Sequence, residues 1–236
     1  RIGNGMIGAA RAGFLGAAGT SAGAPYEDGL TVIAVPGTAS QFSVKTSFTD
    51  AITTTVGGNP SYGSTNGIDF DGSGDKVRYL HSGDGFDIAS SQDFVIQFEY
   101  ILDETSSSGP FDTGVNSNGI GMFGNNSSTY YLRVIGASSM SWSSSTSSLT
   151  GTHLIQRSGS SITWKVGGAT KASASYSGAA VSNQSSGSAI TIGSHDSAST
   201  YPAYYEVNGK IKNFQFRKGT ASPLSTAFDV SVMATS

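Results

Sequence analysis

Between Gly67 and Arg217 turn residues recur about every 8 to 15 positions, and short runs alternating apolar with polar side chains lie between them. That rhythm constrains the chain more than any other feature. A succession of short, half-buried strands can bury its apolar faces only by pairing into sheets that pack on each other. The clearest run is Phe94 to Leu102, where Phe94, Ile96, Phe98, Tyr100 and Leu102 share one face and Gln97 and Glu99 lie on the other. Strands are predicted near residues 67–71, 76–81, 93–102, 118–124, 129–135, 152–158, 161–166, 188–193, 209–217 and 225–232. Near residues 209–217 Ile211 is out of phase with Phe214 and Phe216, which places a bulge near Lys212 and Asn213. The Ser-rich stretches 138–148 and 173–188 read as long hairpin loops.

A chain of 236 residues suits one large β-domain with an extension. Only 12% of the residues are charged and 32 are Gly, a loop-rich β composition kept in water by hydroxyls and backbone. With a net charge of -3 and no run of Lys or Arg, the chain lacks the basic footprint that nucleic acid requires. The absence of Cys excludes disulfides and thiolate metal sites and fits a bacterial or viral source better than a secreted animal module. No apolar stretch is long enough to span a membrane as a helix.

Three segments follow in order. Residues 1–25 are rich in Gly and Ala and superficially resemble a secretory leader, but Arg11 interrupts the apolar centre, and the segment reads as a retained arm that orders only against a partner. Residues 26–60 hold two strand-like runs, Leu30 to Val35 and Gln41 to Phe48, which either open the sandwich or form a docking module. A Gly-, Asn-, Pro- and Ser-rich loop at 57–67 leads into the third segment, the sandwich of residues 61–236.

Ordered phrases in that segment resemble the concanavalin A-like lectin/glucanase superfamily, in particular its laminin-G-like branch. They are Phe70-Asp71-Gly72, the strand from Asp93 to Phe98, Gly151-Thr152-His153-Leu154-Ile155, Trp164-Lys165-Val166-Gly167, Ile192-Gly193 and Gly209-Lys210-Ile211, with His153 standing where the family usually has Trp. The resemblance implies an all-β fold, an antiparallel two-sheet jelly-roll sandwich with an extended N-terminal arm. All the matching positions are scaffold, turn glycines and inward side chains, so they speak for fold and not for activity.

The glucanases of that superfamily carry alternating acidic residues on one strand, and glycoside hydrolysis needs two carboxyls at controlled separation. Here Glu99, Asp103 and Glu104 come nearest and do not alternate, so no catalytic residue is assigned and the chain reads as a non-enzyme. Laminin-G-like domains often hold Ca²⁺ at the sandwich rim; Asp71 and Asp75, with Asp84 and Asp87, could supply oxygens, although Asp beside Gly is also the ordinary tight-turn residue and that reading is favoured. For sugar recognition the candidates are Trp142, Tyr130, His195, Asp196, Tyr201 and Tyr204, aromatic rings with polar neighbours that can stack on a sugar and meet its hydroxyls. The same rings could instead pack on a sheet edge or a neighbouring subunit. Trp164 reads as core, and His153 faces or flanks it.

A Cys-free, weakly charged lectin-like sandwich behind a Gly/Ala-rich arm looks like the structural proteins of tailed bacteriophages. The expectation is a virion surface protein, a capsid decoration or tail-associated subunit. It would assemble as a homo-oligomer, dock on other virion proteins through residues 1–25 and touch host-surface glycans. The alternative is a bacterial extracellular carbohydrate-binding module or adhesin domain, and a third reading is a degenerate glycosidase.

Overall fold

A computed structural model describes residues 31–35, 52–63, 67–81, 86–103, 108–113, 119–125, 129–138, 140–143, 149–180, 189–194, 205–220 and 222–223. The arm at 1–25 and the runs at 41–48 and 225–232 lie outside the described residues. The strands in chain order are β1 (Thr31–Val35), β2 (Ile52–Gly57), β3 (Ser61–Gly63), β4 (Gly67–Asp71), β5 (Lys76–His81), β6 (Phe94–Leu102), β7 (Phe111–Asp112) and β8 (Ile120–Asn125). They continue with β9 (Thr129–Val134), β10 (Met140–Ser143), β11 (Gly151–Ser158), β12 (Ser161–Val166), β13 (Ala169–Ser175), β14 (Ala189–Ile192) and β15 (Asn208–Lys218).

These strands build two antiparallel sheets. Sheet A runs β13-β12-β11-β6-β15-β4-β3, with β1 also paired to β15, and sheet B runs β10-β9-β8-β7-β14-β5-β2. The fold is the all-β sandwich that the alternation requires. Along β6 the inward set Phe94, Ile96, Phe98 and Tyr100 is fully buried. Phe98 of sheet A meets Phe111 of sheet B at 5.5 Å between ring centroids, and Phe111 meets Phe214 at 5.6 Å, so the two sheets interlock through edge-on aromatic contacts.

Three stretches read as loops contain strands. β3 lies within 57–67, β10 within 138–148, and β13 runs into 173–188. Their Ser-, Gly- and Thr-rich sequences hide the period because these strands lie at or beside sheet edges, where side chains need not be apolar to be tolerated.

The bulge expected near Lys212 and Asn213 is present: pairing of β15 with β6 shifts register between Lys212 and Gln215. Asn213 adopts φ 53°, a left-handed conformation that Asn tolerates. Its side-chain amide donates to Glu99 Oε1 at 2.6 Å. On one side of this bulge β15 pairs with β4, and on the other it pairs with β1 along the same edge. Gly67, which opens the first ordered phrase, has φ 77°, and a Cβ there would collide with the Lys212 backbone and Cβ.

His153 occupies the core outright. Its Nε2–H donates to the Leu149 carbonyl at 2.7 Å, and its Nδ1 accepts the Trp164 indole N–H at 3.3 Å. An indole nitrogen can only donate, so the imidazole is neutral, and both its nitrogens are satisfied. Burial lowers its pKa to about 4, against the raising effect of the Leu149 hydrogen bond. At the far end of β11, Arg157 donates to the carbonyls of Ser90, Gln92 and Gly159 and lies 4.1 Å above the Tyr176 ring. A buried cation is tolerable there because carbonyl oxygens surround it.

Candidate functional site

Strand alternation gives each sheet an outer face, and the two faces differ. On sheet A the outward side chains are matched charges: Lys210 lies 3.0 Å from Asp103 and 3.6 Å from Asp69, and Lys212 lies 2.9 Å from Glu99. On sheet B the outward positions of β8 and β9 hold aromatic rings. Met122, Leu132 and Val134 point into the core, so Phe123, Tyr131 and Arg133 point away from it.

Phe123 and Tyr131 are register partners whose rings stack at 5.4 Å and 22°. Tyr205 joins them from the segment before β15, with its ring 5.5 Å from that of Phe123. All three are half-buried. Beside them runs a cross-strand row, Arg78 on β5, Thr191 on β14, Asp112 on β7, Gly121 on β8 and Arg133 on β9. Strands in a sheet are about 4.8 Å apart, so Arg133 reaches Asp112 across an intervening strand. Gly121, the residue between them, has no side chain to obstruct that reach. The resulting ion pair measures 3.7 Å, with Asp112 only 2% exposed and Arg133 17% exposed. Rings that offer a flat apolar surface next to charged donors and acceptors can pack against an apolar face and hydrogen-bond polar groups at its rim.

The residues singled out in the sequence fall in several places. Tyr130 is 3% exposed and faces the core, within 3.4 Å of Ser108 Oγ. Its neighbour Tyr131 is the ring on the outer face, and the phase of Leu132 and Val134 is the signal that tells the two apart. Trp142 lies on β10 opposite Tyr130, edge-on to Trp164 at 5.7 Å, with Lys171 Nζ 4.7 Å above its ring. Trp164 is fully buried. His195, Asp196, Tyr201 and Tyr204 lie outside the described residues. Phe123 and Arg133 carry no sequence signal, because a lone Phe between Met122 and Gly124 and a lone Arg in a strand form no motif.

Asp71 and Asp75 serve the turn between β4 and β5, and Asp84 lies outside the described residues. Asp75 is 1% exposed, and its two oxygens accept main-chain N–H groups of Asn59 at 2.5 Å and Asp71 at 2.9 Å. Asp71 Oδ1 accepts the Ser73 N–H at 2.8 Å, and Glu206 accepts that of Gly74 at 2.7 Å. A calcium ion at Asp71 and Asp75 would have to displace these amide donors. Among the described residues no group of three or more His, Asp or Glu could hold a metal ion. Glu99 is paired to Lys212 and Asn213, and Asp103 to Lys210, so these two acids are surface ion-pair members, and Glu104 lies outside the described residues.

No family model matches the chain, and no curated protein matches it. Solved structures do. A botulinum neurotoxin serotype D/C binding domain superposes with a TM-score of 0.55 at 12% identity, over 88% of this chain and 52% of the other. A structure described under the dependence of botulinum neurotoxin type C cell entry on two ganglioside molecules gives 0.55 at 11% identity, over 88% and 51%. A Trypanosoma rangeli sialidase in complex with 2,3-difluorosialic acid gives 0.52 at 13% identity, over 78% and 30%. The chain spans about half the length of the toxin domains it matches. At such identities the likeness shows the fold alone, a two-sheet antiparallel β-sandwich shared with those toxin binding domains.

Proposed function

We propose that this chain is an extracellular carbohydrate-binding module of adhesion type, which takes a sugar on the outer face of sheet B. The observation that carries the reading is the half-buried cluster of Phe123, Tyr131 and Tyr205 beside the Asp112–Arg133 pair. Rings on an outward sheet face give up apolar contact with the core, and contact with a ligand compensates for that loss. The fold is shared with toxin binding domains, one of them described in terms of ganglioside interaction, which supports the same direction. Tyr201 and Tyr204 precede Tyr205 in sequence.

The test is glycan-array binding by the wild type, Tyr131→Ala, Phe123→Ala and Trp142→Ala. A sugar packs the C–H groups of its apolar face on an aromatic ring, so each outer-face variant should lose about tenfold or more in affinity. Trp142→Ala should bind normally. Loss in Trp142→Ala alone would move the site to the edge near β10.

A narrower reading sets the module on a virion surface, as a homo-oligomer docked through residues 1–25. Its support is the composition of that segment. Removing residues 1–25 should then abolish assembly while sugar binding persists; assembly that survives the truncation rejects the docking arm.

A further inference from the structure

We infer that β2 is the contact through which two copies of this chain pair, edge to edge and antiparallel, so that sheet B continues from one copy into the other. Three observations converge. First, β2 is an unguarded edge. Among the described residues it pairs only with β5, in unbroken register along the whole strand. Edge strands are ordinarily kept from pairing by shortness, charge, Pro or a bulge. β3 has three residues and β10 four, and β13 carries Lys171 and a register shift against β12. β2 has six residues, Ile-Thr-Thr-Thr-Val-Gly, nearly all β-branched, with no charge, Pro or bulge.

Second, β2 is exposed on both faces. Thr54 and Val56 are register partners of Tyr79 and Val77, which are fully buried, so they point to the inner side of sheet B. Both are nevertheless exposed, and Val56, at 47%, is the one large apolar side chain left so among the described residues. Sheet A therefore leaves the inner side of β2 uncovered. Third, the strand is complementary to itself. Antiparallel pairing about a twofold axis at Thr54 sets Thr54 opposite Thr54, Thr53 opposite Thr55, and Ile52 opposite Val56 of the second copy. Every contact then joins hydroxyl to hydroxyl or apolar to apolar, pairings that stabilise neighbouring strands. A charged peptide would find no counter-charge on β2, so the occupant is a second copy. A six-residue ladder is smaller than a standard interface, and the dimer is reversible, with a Kd on the order of 10 μM.

The twofold axis of such a pair stands perpendicular to the sheet, so both outer faces of sheet B look the same way. Phe123 on β8 lies four strands from β2, which places the rings of the two copies roughly 40 Å apart at about 4.8 Å per strand. Where that face binds sugar as proposed above, the dimer binds a glycan-bearing surface bivalently. The pairing itself does not depend on the sugar reading and involves none of residues 1–25.

The competing role of β2 is the solvated edge of a monomer. Sedimentation equilibrium of the full chain from about 1 to 100 μM should show a monomer passing into a dimer. Thr54→Lys and Thr54→Glu each set like charges face to face across the axis at an exposed position, and each alone should weaken dimerisation about tenfold or more. An equimolar mixture of the two should regain the dimer, which a merely destabilised strand would not do. Because the chain has no Cys, Thr54→Cys supplies a single thiol at the axis. Directly opposed Cα atoms lie about 5 Å apart, within disulfide reach, so mild oxidation should link the copies. Thr53→Cys, about 8 Å from its own copy, should link poorly. A wild type that is monomeric at every concentration overturns the inference, as does a dimer that persists in both charged variants or a mixture that stays monomeric. None of these outcomes touches binding of a single soluble sugar, which tests the sugar reading separately.

Discussion

Sheet A turns outward a set of paired charges, and sheet B turns outward rings and a buried ion pair. Lys210 and Lys212 meet Asp69, Asp103 and Glu99 at a surface that water already solvates, so these pairs add little to stability and leave nothing for a partner to satisfy. Asp112 and Thr191 point away from the core and are nevertheless only 2% exposed. The first face is finished by solvent and the second by contact. The sandwich core beneath them is common to both, which makes each face a control for the other.

The largest expected effect erases the comparison altogether, because it acts on the shared core. The folded-state pKa of His153 lies at about 4, below the ordinary 6.5, so the unfolded chain takes up the proton first as pH falls. Stability is therefore complete above pH 6.5 and is lost as pH drops from there toward 4, on the order of 3 kcal/mol in total. Urea unfolding across that window should show this slope, and His153→Gln should flatten it. An unchanged slope in the variant would assign the acid sensitivity to the carboxylates instead.

The next effect separates the faces. Asp112→Ala leaves Arg133 without its counter-ion in a mostly buried position and should cost about 3 kcal/mol, whereas Glu99→Ala on sheet A should cost about 1 kcal/mol or less. Equal losses by chemical denaturation would break the distinction between a solvated and a covered ion pair. Tyr131→Ala should be smaller in stability, about 1 kcal/mol for a half-buried ring, yet decisive for sugar binding. Lys210→Ala should move the unfolding midpoint least, within about 0.5 kcal/mol, and should leave sugar binding untouched. A binding defect in Lys210→Ala would transfer the candidate site to the opposite sheet.

How far the sequence could be read depends on which side of a strand carries the information. The inward set of β6 and the Ile211 phase break announce themselves, because core positions must be large and apolar and a bulge must disturb their period. Edge strands such as β10 and β13 obey no such demand, and their serines look like loops. The outer-face cluster is harder still. It joins β8, β9 and the residue before β15, and nothing local to Phe123 records that Tyr205 will come to lie against it. Tyr130 and Tyr131 illustrate the difference within one dipeptide: both are Tyr, and only the parity set by Leu132 and Val134 sends one to the core and the other outward.

The switch of β15 between two partners has a mechanical side. Beyond the Asn213 bulge, β1 runs antiparallel to the last residues of β15, with Thr31 beside Arg217, so the chain enters and leaves this part of sheet A at the same end. A pull that separates residue 31 from residue 218 therefore loads the outermost bond of the β1–β15 pair and peels the two strands apart in sequence. The β6–β15 ladder is not in that line of force. Tension on an attached surface would strip β1 first and leave the remaining strands of the sandwich paired.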